Sequence, residues 1–425
     1  MTTVQHPTAL SVTDVCRRAR EASYTVRELT TEVKDRVIAE MADAIDAAHE
    51  YLKEANALDV AAARTSGASA TLVDRLTLTD GRIAGMTRAM RTIIDLPDPV
   101  GQVVAGRTRP NGLRIEQVRE PLGVVAVIYE ARPNVTADVA ALCLKSGNAA
   151  VLRGSSIARH TNAAIADVLI ELLARQEDVP TDAVQLIRDV SREAALELLK
   201  ADEYVDLLVP RGGPGLIQTV KDNATVPTVI DGDGNCHVYV DATADRDMAT
   251  DIVINGKTSR PSVCNAVETL LVHQDLTDDW LPGVLDELKG LGVEIRGDET
   301  VRAMWPDAVP AQDSDWETEY LDLVLAVKVV ENLDVALAHI NTYGTRNAEG
   351  IVAQDIAVAQ RFARAIDSGS VFVNTSTRFS DGGEFGYGVE IGVATQKLHA
   401  RGPMGLESLT CVKNVVWGSG QIRVL

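Results

Sequence analysis

From Pro121 onward, short runs of apolar, β-branched residues alternate with longer stretches that have the period of an amphipathic helix. This alternation is typical of a mostly parallel sheet with helices on both faces, because parallel strands are joined by helical crossovers. The elements fall into two series, one over residues 123–230 and the other over residues 266–374. The sequence therefore predicts an α/β protein with two lobes, of which the first is Rossmann-like.

Each series alternates predicted strands with predicted helices. In the first series the predicted strands are Gly123–Tyr129, Ala149–Arg153, Val184–Ile187, Val205–Val209 and Val226–Ile230, and the predicted helices are Thr136–Ser146, Thr161–Arg175, Ser191–Lys200 and Gly213–Asp222. In the second series the predicted strands are Ala266–His273, Leu323–Val330, Gly350–Ala353 and Ser370–Asn374, and the predicted helices are Leu276–Lys289, Leu333–Tyr343 and Ile356–Ile366. The Ala-rich chain before about Leu96 is predicted to be helical and to pack on the first lobe.

A hairpin is predicted outside both series. Asn111-Gly112 lies between the extended runs of Thr108–Glu120, and this dipeptide strongly favours a tight hairpin turn. The C-terminal run Thr410–Trp417 is predicted to add a strand to it. Such an arm often forms an oligomer contact because its strand edges must be covered, and a plain surface hairpin remains the alternative.

Charge and composition exclude several classes of protein. The chain has 61 acidic and 41 basic residues, a net charge of -20, which disfavours nonspecific binding to nucleic acid or anionic membranes. No run approaches the ~18 apolar residues of a membrane span, and the start, MTTVQHPTAL, has no targeting pattern. We therefore expect a cytoplasmic protein. A metal site is not expected, because the seven histidines form no H-E-x-x-H and no cysteines form a C-x-x-C pair.

Cys264 is the strongest candidate for a catalytic residue. It lies in NGKTSRPSVCN, residues 255–265, a polar stretch between the two predicted series, and it follows Lys257 and Arg260. Polar and cationic neighbours favour the reactive thiolate, so Cys264 is predicted to act as a nucleophile. Cys16, Cys143 and Cys411 are interpreted as structural residues, and Cys236 remains ambiguous.

Glycine-rich loops follow several of the predicted strands. RGGPG at 211–215 and DGDGN at 231–235 stand where a parallel sheet presents ligand crevices, and backbone N–H groups at a helix start can bind phosphate. Neither loop is a G-x-G-x-x-G fingerprint. Arg153 and Ser155 follow another strand and add a guanidinium and a hydroxyl. Together these features favour a phosphate-bearing ligand.

Five blocks of sequence resemble one known family. They are EPLGVVAVIYEARPNVTADVAALCLKSGNAAVLRG, VPRGGPGL, NGKTSRPSVCNAVETLLV, WETEYLDLVLAVKVVENLDVALAHINTYG and GSVFVNTSTRFSDGGEFGYGVEIGVATQKLHARGPMGLE. They resemble the γ-glutamyl phosphate reductases, which belong to the aldehyde dehydrogenase superfamily. The resemblance implies NADPH-dependent reduction of L-glutamyl 5-phosphate to L-glutamate 5-semialdehyde and phosphate, a step of proline biosynthesis.

The resemblance also implies a fold, with bounds that follow from the blocks. An NADP-binding domain is expected over residues 1–105 and 121–240 and a catalytic domain over 241–400. An oligomerisation arm is expected over 106–120 and 405–425. A homo-oligomer is implied, and contact with glutamate 5-kinase is a further possibility because acyl phosphates are labile.

Residue roles carry over by position within the motifs. Cys264 matches the nucleophile, and Asn134 matches the asparagine that helps to form the oxyanion hole. For the cofactor, Arg153 matches a residue at the adenosine ribose, and Glu319 matches the glutamate that holds the nicotinamide ribose. Gly212, Gly213 and Gly215 match the phosphate loop, and Ser155 is a candidate partner of a 2′-phosphate.

One position departs from the hydrolytic members of the superfamily. Ile230 stands where those enzymes carry a water-activating glutamate. A thioester formed on Cys264 has to survive until hydride arrives, so the loss of this base suits a reductase.

Candidate ligands for the anionic ends of the substrate are Arg378 and Arg401, for which an ordinary salt bridge is an equal alternative. Lys257 and Arg260 are alternative ligands of the departing phosphate. Two other functions remain open, a hydrolytic aldehyde dehydrogenase and a catalytically silent nucleotide-binding scaffold of the same fold.

Overall fold

The structure is a computed structural model, and it describes residues 10–423. Residues 1–9, in which the sequence predicts no targeting segment, lie outside the described residues. The described chain divides into two compact units. Unit 1 holds the residues up to Val229, the segment Tyr387–Gly392 and the residues from Met404 onward, and unit 2 holds Ile230–Gly386 and Val393–Pro403.

The helices and strands have the following bounds. The helices are α1 Val12–Val26, α2 Thr31–Ala47, α3 His49–Thr65, α4 Ala70–Leu76, α5 Asp80–Asp95, α6 Asn134–Lys145, α7 Arg159–Leu173, α8 Arg192–Leu199, α9 Pro214–Asn223, α10 Arg246–Thr258, α11 Leu281–Gly290, α12 Glu299–Met304, α13 Leu333–Tyr343 and α14 Ile356–Ala365. The strands are β1 Val103–Thr108, β2 Arg114–Pro121, β3 Val124–Tyr129, β4 Ala149–Gly154, β5 Val184–Leu186, β6 Leu207–Arg211, β7 Cys236–Val240, β8 Val267–His273, β9 Glu294–Gly297, β10 Val309–Pro310, β11 Val324–Val330, β12 Ala348–Val352, β13 Ser370–Val373, β14 Val393–Ala394, β15 Gly402–Pro403 and β16 Thr410–Trp417.

Unit 1 is built on a four-stranded parallel sheet in the order β5-β4-β3-β6. Every residue of β3 is buried, as expected of a central strand covered on both faces. The apolar side of α1 packs on this sheet through Val12, Val15 and Ala19. The predicted N-terminal helices are thus confirmed as α1 to α5, and the Rossmann-like series of unit 1 is confirmed up to β6.

A separate three-stranded antiparallel sheet has the order β1-β2-β16. The predicted hairpin turns at Gly112, whose φ of 84° requires a residue that tolerates the left-handed region. The predicted third strand pairs with β2 along its whole length, from Thr410 opposite Pro121 to Trp417 opposite Arg114. The hairpin and its added strand are therefore confirmed.

Unit 2 is built on a seven-stranded parallel sheet in the order β10-β9-β11-β8-β7-β12-β13. Strand β8 lies near the middle of this order, and its apolar residues face helices α10 and α11 through a core that includes Leu270, Val253 and Leu285. The predicted α/β fold with two parallel sheets is confirmed. The domain bounds given by the resemblance stay a prediction.

Two predicted elements are wrong in detail. Val226–Ile230 is not a strand, and only Thr228 forms an isolated bridge with Leu208, since Pro227 lacks the N–H that a strand would donate. The helix predicted from Leu276 begins instead at Leu281, after a 3₁₀ turn at Gln274–Leu276. No helix within residues 10–423 has both the length and the apolar character needed to cross a membrane.

Candidate active site

Cys264 lies in unit 2, in the loop that connects α10 to β8. It is half-buried, whereas Cys16, Cys143 and Cys236 are buried and Cys411 is exposed. Its loop leads directly into β8, the central strand of the seven-stranded sheet. A partly accessible thiol in such a loop can reach a ligand while its backbone is held in place.

The backbone carbonyl of Cys264 is held by two side chains. Asn347 Nδ2 donates a hydrogen bond to this carbonyl at 3.3 Å, and the Cys236 thiol donates another at 3.2 Å. Gly234 packs against the same peptide so closely that a Cβ at this position would lie 1.9 Å from the Cys264 carbonyl oxygen. The position of Cys264 therefore depends on three residues that come from other parts of unit 2.

Two guanidinium groups belong to the surroundings of Cys264. Arg378 Nε donates to Ser259 Oγ at 3.1 Å. Burial lowers the pKa of Arg378, the nearby Arg260 guanidinium lowers this pKa further, and Asp381 and Cys264 act in the opposite direction. An anion bound beside these two like charges would relieve their repulsion.

Lys257 is not exposed to a substrate. Its ammonium and the Glu268 carboxylate are both fully buried and 2.5 Å apart. Burial lowers the pKa of Lys257 and raises the pKa of Glu268, and their mutual attraction opposes both shifts. The second carboxylate oxygen of Glu268 accepts a hydrogen bond from Leu321 N at 3.1 Å. Lys257 therefore has a partner inside the protein.

Arg401 also has a partner within unit 2. Its guanidinium donates to Asp367 Oδ1 at 2.8 Å, and Lys397 pairs with the other oxygen of the same carboxylate at 2.7 Å. Hydrogen bonds from these two residues hold the pKa of Asp367 below its ordinary value. In this structure Arg401 forms a salt bridge, which is the alternative that its sequence context left open.

Glu319 lies on the loop that leads into β11. Its Oε1 accepts a hydrogen bond from Gly234 N at 2.8 Å. Burial raises the pKa of the Glu319 carboxyl to about 7, with a further contribution from Asp233 and Asp231 and an opposing one from the Gly234 hydrogen bond. Glu319 and Cys264 thus contact the same residue, Gly234, from its N–H and from its Cα.

The position of the missing glutamate is apolar. The Ile230 side chain is buried, its N–H donates to Gln396 Oε1 at 2.8 Å, and its carbonyl accepts from Thr395 N. The backbone at this point is fixed by the segment that carries β14. The side chain at position 230 can neither accept nor donate a proton.

Asn134 is the first residue of α6 in unit 1. It is exposed, and its Nδ2 donates a hydrogen bond to Asp138 Oδ2 at 2.8 Å, one helical turn later. Burial raises the pKa of Asp138 to about 6, against the lowering effect of the Asn134 hydrogen bond. This contact fixes the orientation of the Asn134 carboxamide and leaves its second N–H hydrogen for another acceptor.

Arg153 is the next-to-last residue of β4 and is half-buried. One of its terminal nitrogens donates to the carbonyls of Val190 and Ser191 at 2.7 and 2.8 Å. Burial lowers the pKa of Arg153, and Asp189 opposes that shift. The Arg153 guanidinium therefore holds the loop between β5 and α8.

A cavity of about 160 Å³ opens beside this loop in unit 1. Ser155, Asn162, Arg159 and Arg188 contribute to its lining. Ser155 Oγ and Asn162 Nδ2 are buried and have no hydrogen-bond partner among the described residues. Buried polar atoms of this kind are normally satisfied, so the cavity fits a polar, anionic ligand.

The loop Arg211–Gly215 leads from β6 into α9. A Cβ at Gly212 would lie 2.7 Å from Glu130 Cδ, whereas a Cβ at Gly213 or Gly215 would meet no atom within 4 Å. Gly213 N donates to Glu130 Oε2 at 3.3 Å. Of the three glycines predicted to bind the cofactor phosphate, two, Gly213 and Gly215, have open space beside them.

No role was predicted from the sequence for Glu268, Asn347 or Asp138. A signal was available for Glu268, because a charged residue inside the apolar strand AVETLLV needs a buried partner. Asn347 and Asp138 carry no comparable signal, since their partners depend on the tertiary fold and on a side-chain rotamer.

Comparison with known proteins places the chain in a family. The model of the aldehyde dehydrogenase family matches residues 1–304 and 301–415. A γ-glutamyl phosphate reductase of Thermobifida fusca is 53% identical over 97% of this chain and 98% of its own, and one of Moorella thermoacetica is 53% identical over 98% and 99%. The crystal structure of γ-glutamyl phosphate reductase from Thermotoga maritima matches this chain with a TM-score of 0.95 and 46% sequence identity. The match covers 98% of this chain and 100% of that chain.

The fold is shared more widely. An acetylating aldehyde dehydrogenase from Geobacillus thermoglucosidasius has a TM-score of 0.68 at 19% identity, with 97% of this chain and 98% of that chain covered. The family model and the two reductase sequences show that the chain is a member of the aldehyde dehydrogenase family. Within it, the chain belongs with the γ-glutamyl phosphate reductases, as the five sequence blocks predict.

Proposed function

We infer that this chain reduces L-glutamyl 5-phosphate to L-glutamate 5-semialdehyde, with NADPH as reductant and inorganic phosphate as the second product. This is the reductive step of proline biosynthesis. The observation that carries the inference is the combination of a half-buried Cys264, the two guanidinium groups of Arg260 and Arg378, and an apolar Ile230 at the base position.

In the proposed reaction Cys264 forms a covalent intermediate. The Cys264 thiolate attacks the acyl carbon, the bond to phosphate breaks, and a thioester remains. Positive charge near a thiol favours the thiolate, which is the attacking species. Asn134 keeps the role of an oxyanion donor, which is supported by the free second N–H of its amide.

The leaving group is assigned to Arg260 and Arg378. A departing phosphate is a multiply charged anion, and guanidinium groups bind such anions through paired hydrogen bonds. We leave Lys257 and Arg401 out of this assignment, because the first is paired with Glu268 and the second with Asp367.

The residues of unit 1 fit the adenosine end of the cofactor. Ser155 and Asn162 offer unsatisfied polar atoms, and Arg159 supplies positive charge for a 2′-phosphate, whereas Arg188 is paired with Asp167. Arg153 supports the loop that carries Arg188, and Glu319 keeps the role of ligand of the nicotinamide ribose. When bound, NADPH supplies the hydride that reduces the acyl group. The glycines of Arg211–Gly215 keep the phosphate-loop role, supported by the open space at Gly213 and Gly215.

The thioester is protected from water by the side chain at position 230. A glutamate there would activate water, whereas Ile230 cannot remove a proton. The acyl group therefore reacts with hydride in the forward direction and with phosphate in the reverse direction.

The reverse reaction tests this proposal. Reduction of NADP⁺ is followed with glutamate semialdehyde and phosphate, for the unmodified protein and for Cys264→Ala. We expect turnover that requires phosphate and a loss on the order of 10⁴-fold in the variant. Acid formation without phosphate would instead indicate a hydrolytic aldehyde dehydrogenase. NADPH binding without turnover would indicate a silent scaffold.

Assembly and location complete the proposal. The sheet β1-β2-β16 is proposed to form a homo-oligomer contact, because its edge strands expose Val103, Val416 and Trp417 by more than half of their surface. A cytoplasmic location is proposed because none of the five cysteines, all of which the structure describes, forms a disulfide. Contact with glutamate 5-kinase stays a prediction from the lability of the acyl phosphate.

A further inference from the structure

The buried pair Lys257–Glu268 joins the end of α10 to β8 in unit 2. Lys257 lies in the last turn of α10 and Glu268 in β8, so the pair closes the loop that carries Cys264. The second oxygen of Glu268 accepts from Leu321 N at 3.1 Å, two residues after Glu319. One carboxylate therefore contacts both the end of α10 and the loop that carries Glu319.

A buried ion pair is weak evidence for stability. Removing two charges from water costs as much as their attraction returns, and a well-packed apolar pair is often equally stable. A reason for this pair must therefore be sought in what its carboxylate holds. Leu321 has a φ of 55°, a left-handed conformation that is unfavourable for leucine, and the Glu268 oxygen binds the N–H of that residue.

We propose that Lys257 and Glu268 are a positioning pair for Glu319. By holding Leu321 N–H, the Glu268 carboxylate keeps the 319–321 segment in the conformation in which Glu319 bonds Gly234 N. Lys257 in turn neutralises Glu268 and fixes its rotamer. The inference rests on the proposed role of Glu319 as ligand of the nicotinamide ribose. It assigns Lys257 to the positioning of a cofactor ligand and not to the binding of substrate.

Two double variants separate this role from a contribution to stability. In Lys257→Met with Glu268→Leu, the charges are replaced by apolar groups and Leu321 N loses its acceptor. In Lys257→Met with Glu268→Gln, the amide oxygen can still accept from Leu321 N, but the amide N–H₂ is buried without a partner. The first variant should retain its Tm, because Leu321 is exposed and water can accept from its N–H, but it should no longer hold the 319–321 segment in place. The second variant should have the lower Tm and still hold that segment.

The affinity for NADPH is the direct measurement, through the fluorescence of the bound nicotinamide. We expect the Kd for NADPH to rise about tenfold or more in the Met/Leu variant, which corresponds to one charge-assisted hydrogen bond, and to change less than threefold in the Met/Gln variant. Adenosine 2′,5′-bisphosphate lacks the nicotinamide ribose. Its Kd should be unchanged in both variants, which also reports that unit 1 is folded.

A second buried pair gives a matched control. Lys34 Nζ and Asp98 Oδ2 in unit 1 lie 3.0 Å apart, with the Lys34 side chain 1% and the Asp98 side chain 9% exposed. Asp98 also accepts from Val100 N, so it holds a backbone N–H as Glu268 does. Lys34→Met with Asp98→Leu should leave the Kd for NADPH unchanged.

Three outcomes would overturn the proposal. In the first, the Met/Leu variant binds NADPH as tightly as the unmodified protein. In the second, NADPH affinity follows Tm across the two double variants. In the third, Glu319→Gln binds NADPH normally, which removes the ribose assignment and this inference with it. The reaction itself is tested separately, because phosphate-dependent turnover and its loss in Cys264→Ala do not depend on the role of Glu319.

Discussion

The two glycine-rich loops, Arg211–Gly215 in unit 1 and Asp231–Asn235 in unit 2, look alike in sequence and differ in the structure. In each loop a glycine N–H donates to a glutamate, from Gly213 to Glu130 at 3.3 Å and from Gly234 to Glu319 at 2.8 Å. The first loop is mostly exposed and two of its glycines face open space. In the second loop Gly234 is buried against the Cys264 peptide.

The difference shows that glycine serves two purposes in one protein. In the first loop, the missing side chains leave room beside the backbone at the start of α9, where a phosphate group can be bound. In the second loop, the missing side chain lets two backbone segments touch. The first loop therefore has room for a ligand, and the second holds the backbone of Cys264, the proposed nucleophile.

Among changes at the two loops, Gly234→Ala should lower stability and activity most. A Cβ at this position would lie 1.9 Å from the Cys264 carbonyl oxygen and 2.5 Å from its carbonyl carbon, and neither atom belongs to a flexible side chain. We expect a loss of about 3 kcal/mol in the free energy of unfolding and at least ~100-fold in the reverse assay. Urea denaturation and phosphate-dependent NADP⁺ reduction measure the two effects. Near-normal activity would show that the two backbone segments can separate without harm.

Much of the fold follows from sequence pattern, and the limits have physical causes. The bounds of α13 were predicted without error, because its apolar period is regular and Asn332 caps its start. Val226–Ile230 has the composition of a strand but contains Pro227, which interrupts pairing. The strand was predicted from its β-branched composition, and the effect of Pro227 on pairing was not taken into account.

The site was predictable only in part. Cys264 was singled out by its residue type and its cationic neighbours, whereas Glu319 was assigned only through the family resemblance. The substrate roles of Lys257 and Arg401 were assigned from charge alone, and charge does not reveal that Glu268 or Asp367 lies within contact distance. Such pairings are set by the packing of α10 against β8 and by the approach of the two loops that carry Asp367 and Arg401. The roles of the site residues themselves stay predictions.

The Glu319 carboxyl, which accepts from the second loop, should make the free energy of unfolding depend on pH. The pKa of Glu319 is raised to about 7 from 4.5, so the folded protein keeps a proton on this group at pH values where the unfolded chain has lost it. The contribution of Glu319 to the free energy of unfolding therefore falls as the pH rises from about 4.5 to about 7, and it is constant above that window. We expect a difference of about 2 kcal/mol, discounted for partial exposure. Urea denaturation at pH 5 and pH 8 measures this difference. The free energy of unfolding should fall less between these pH values in Glu319→Gln than in the unmodified protein. An equal fall in both proteins would show that Glu319 is not the titrating group.

Gly212→Ala should have a smaller effect than Gly234→Ala, although both positions are crowded. The Cβ at position 212 would lie 2.7 Å from Glu130 Cδ and 2.8 Å from Leu216 Cδ2, which are ends of side chains that can move. We expect a loss of about 1 kcal/mol in stability and weaker binding of NADPH, because displacement of Glu130 disturbs the hydrogen bond to Gly213 N. Thermal unfolding and NADPH fluorescence provide the measurements. A loss as large as that of Gly234→Ala would mean that the two loops are equally rigid.

Gly215→Ala should have the smallest effect, and stability and binding should change in opposite directions. Gly215 lies in the first turn of α9, and a Cβ there meets no atom within 4 Å. Alanine should stabilise the protein by about 0.5 kcal/mol, because it reduces the freedom of the unfolded chain and favours the helix. If the open space serves a phosphate, the added methyl group should raise the Kd for NADPH. A variant that is more stable and binds NADPH normally would leave the loop as a simple helix start, and the contrast between the two loops would then be one of packing alone.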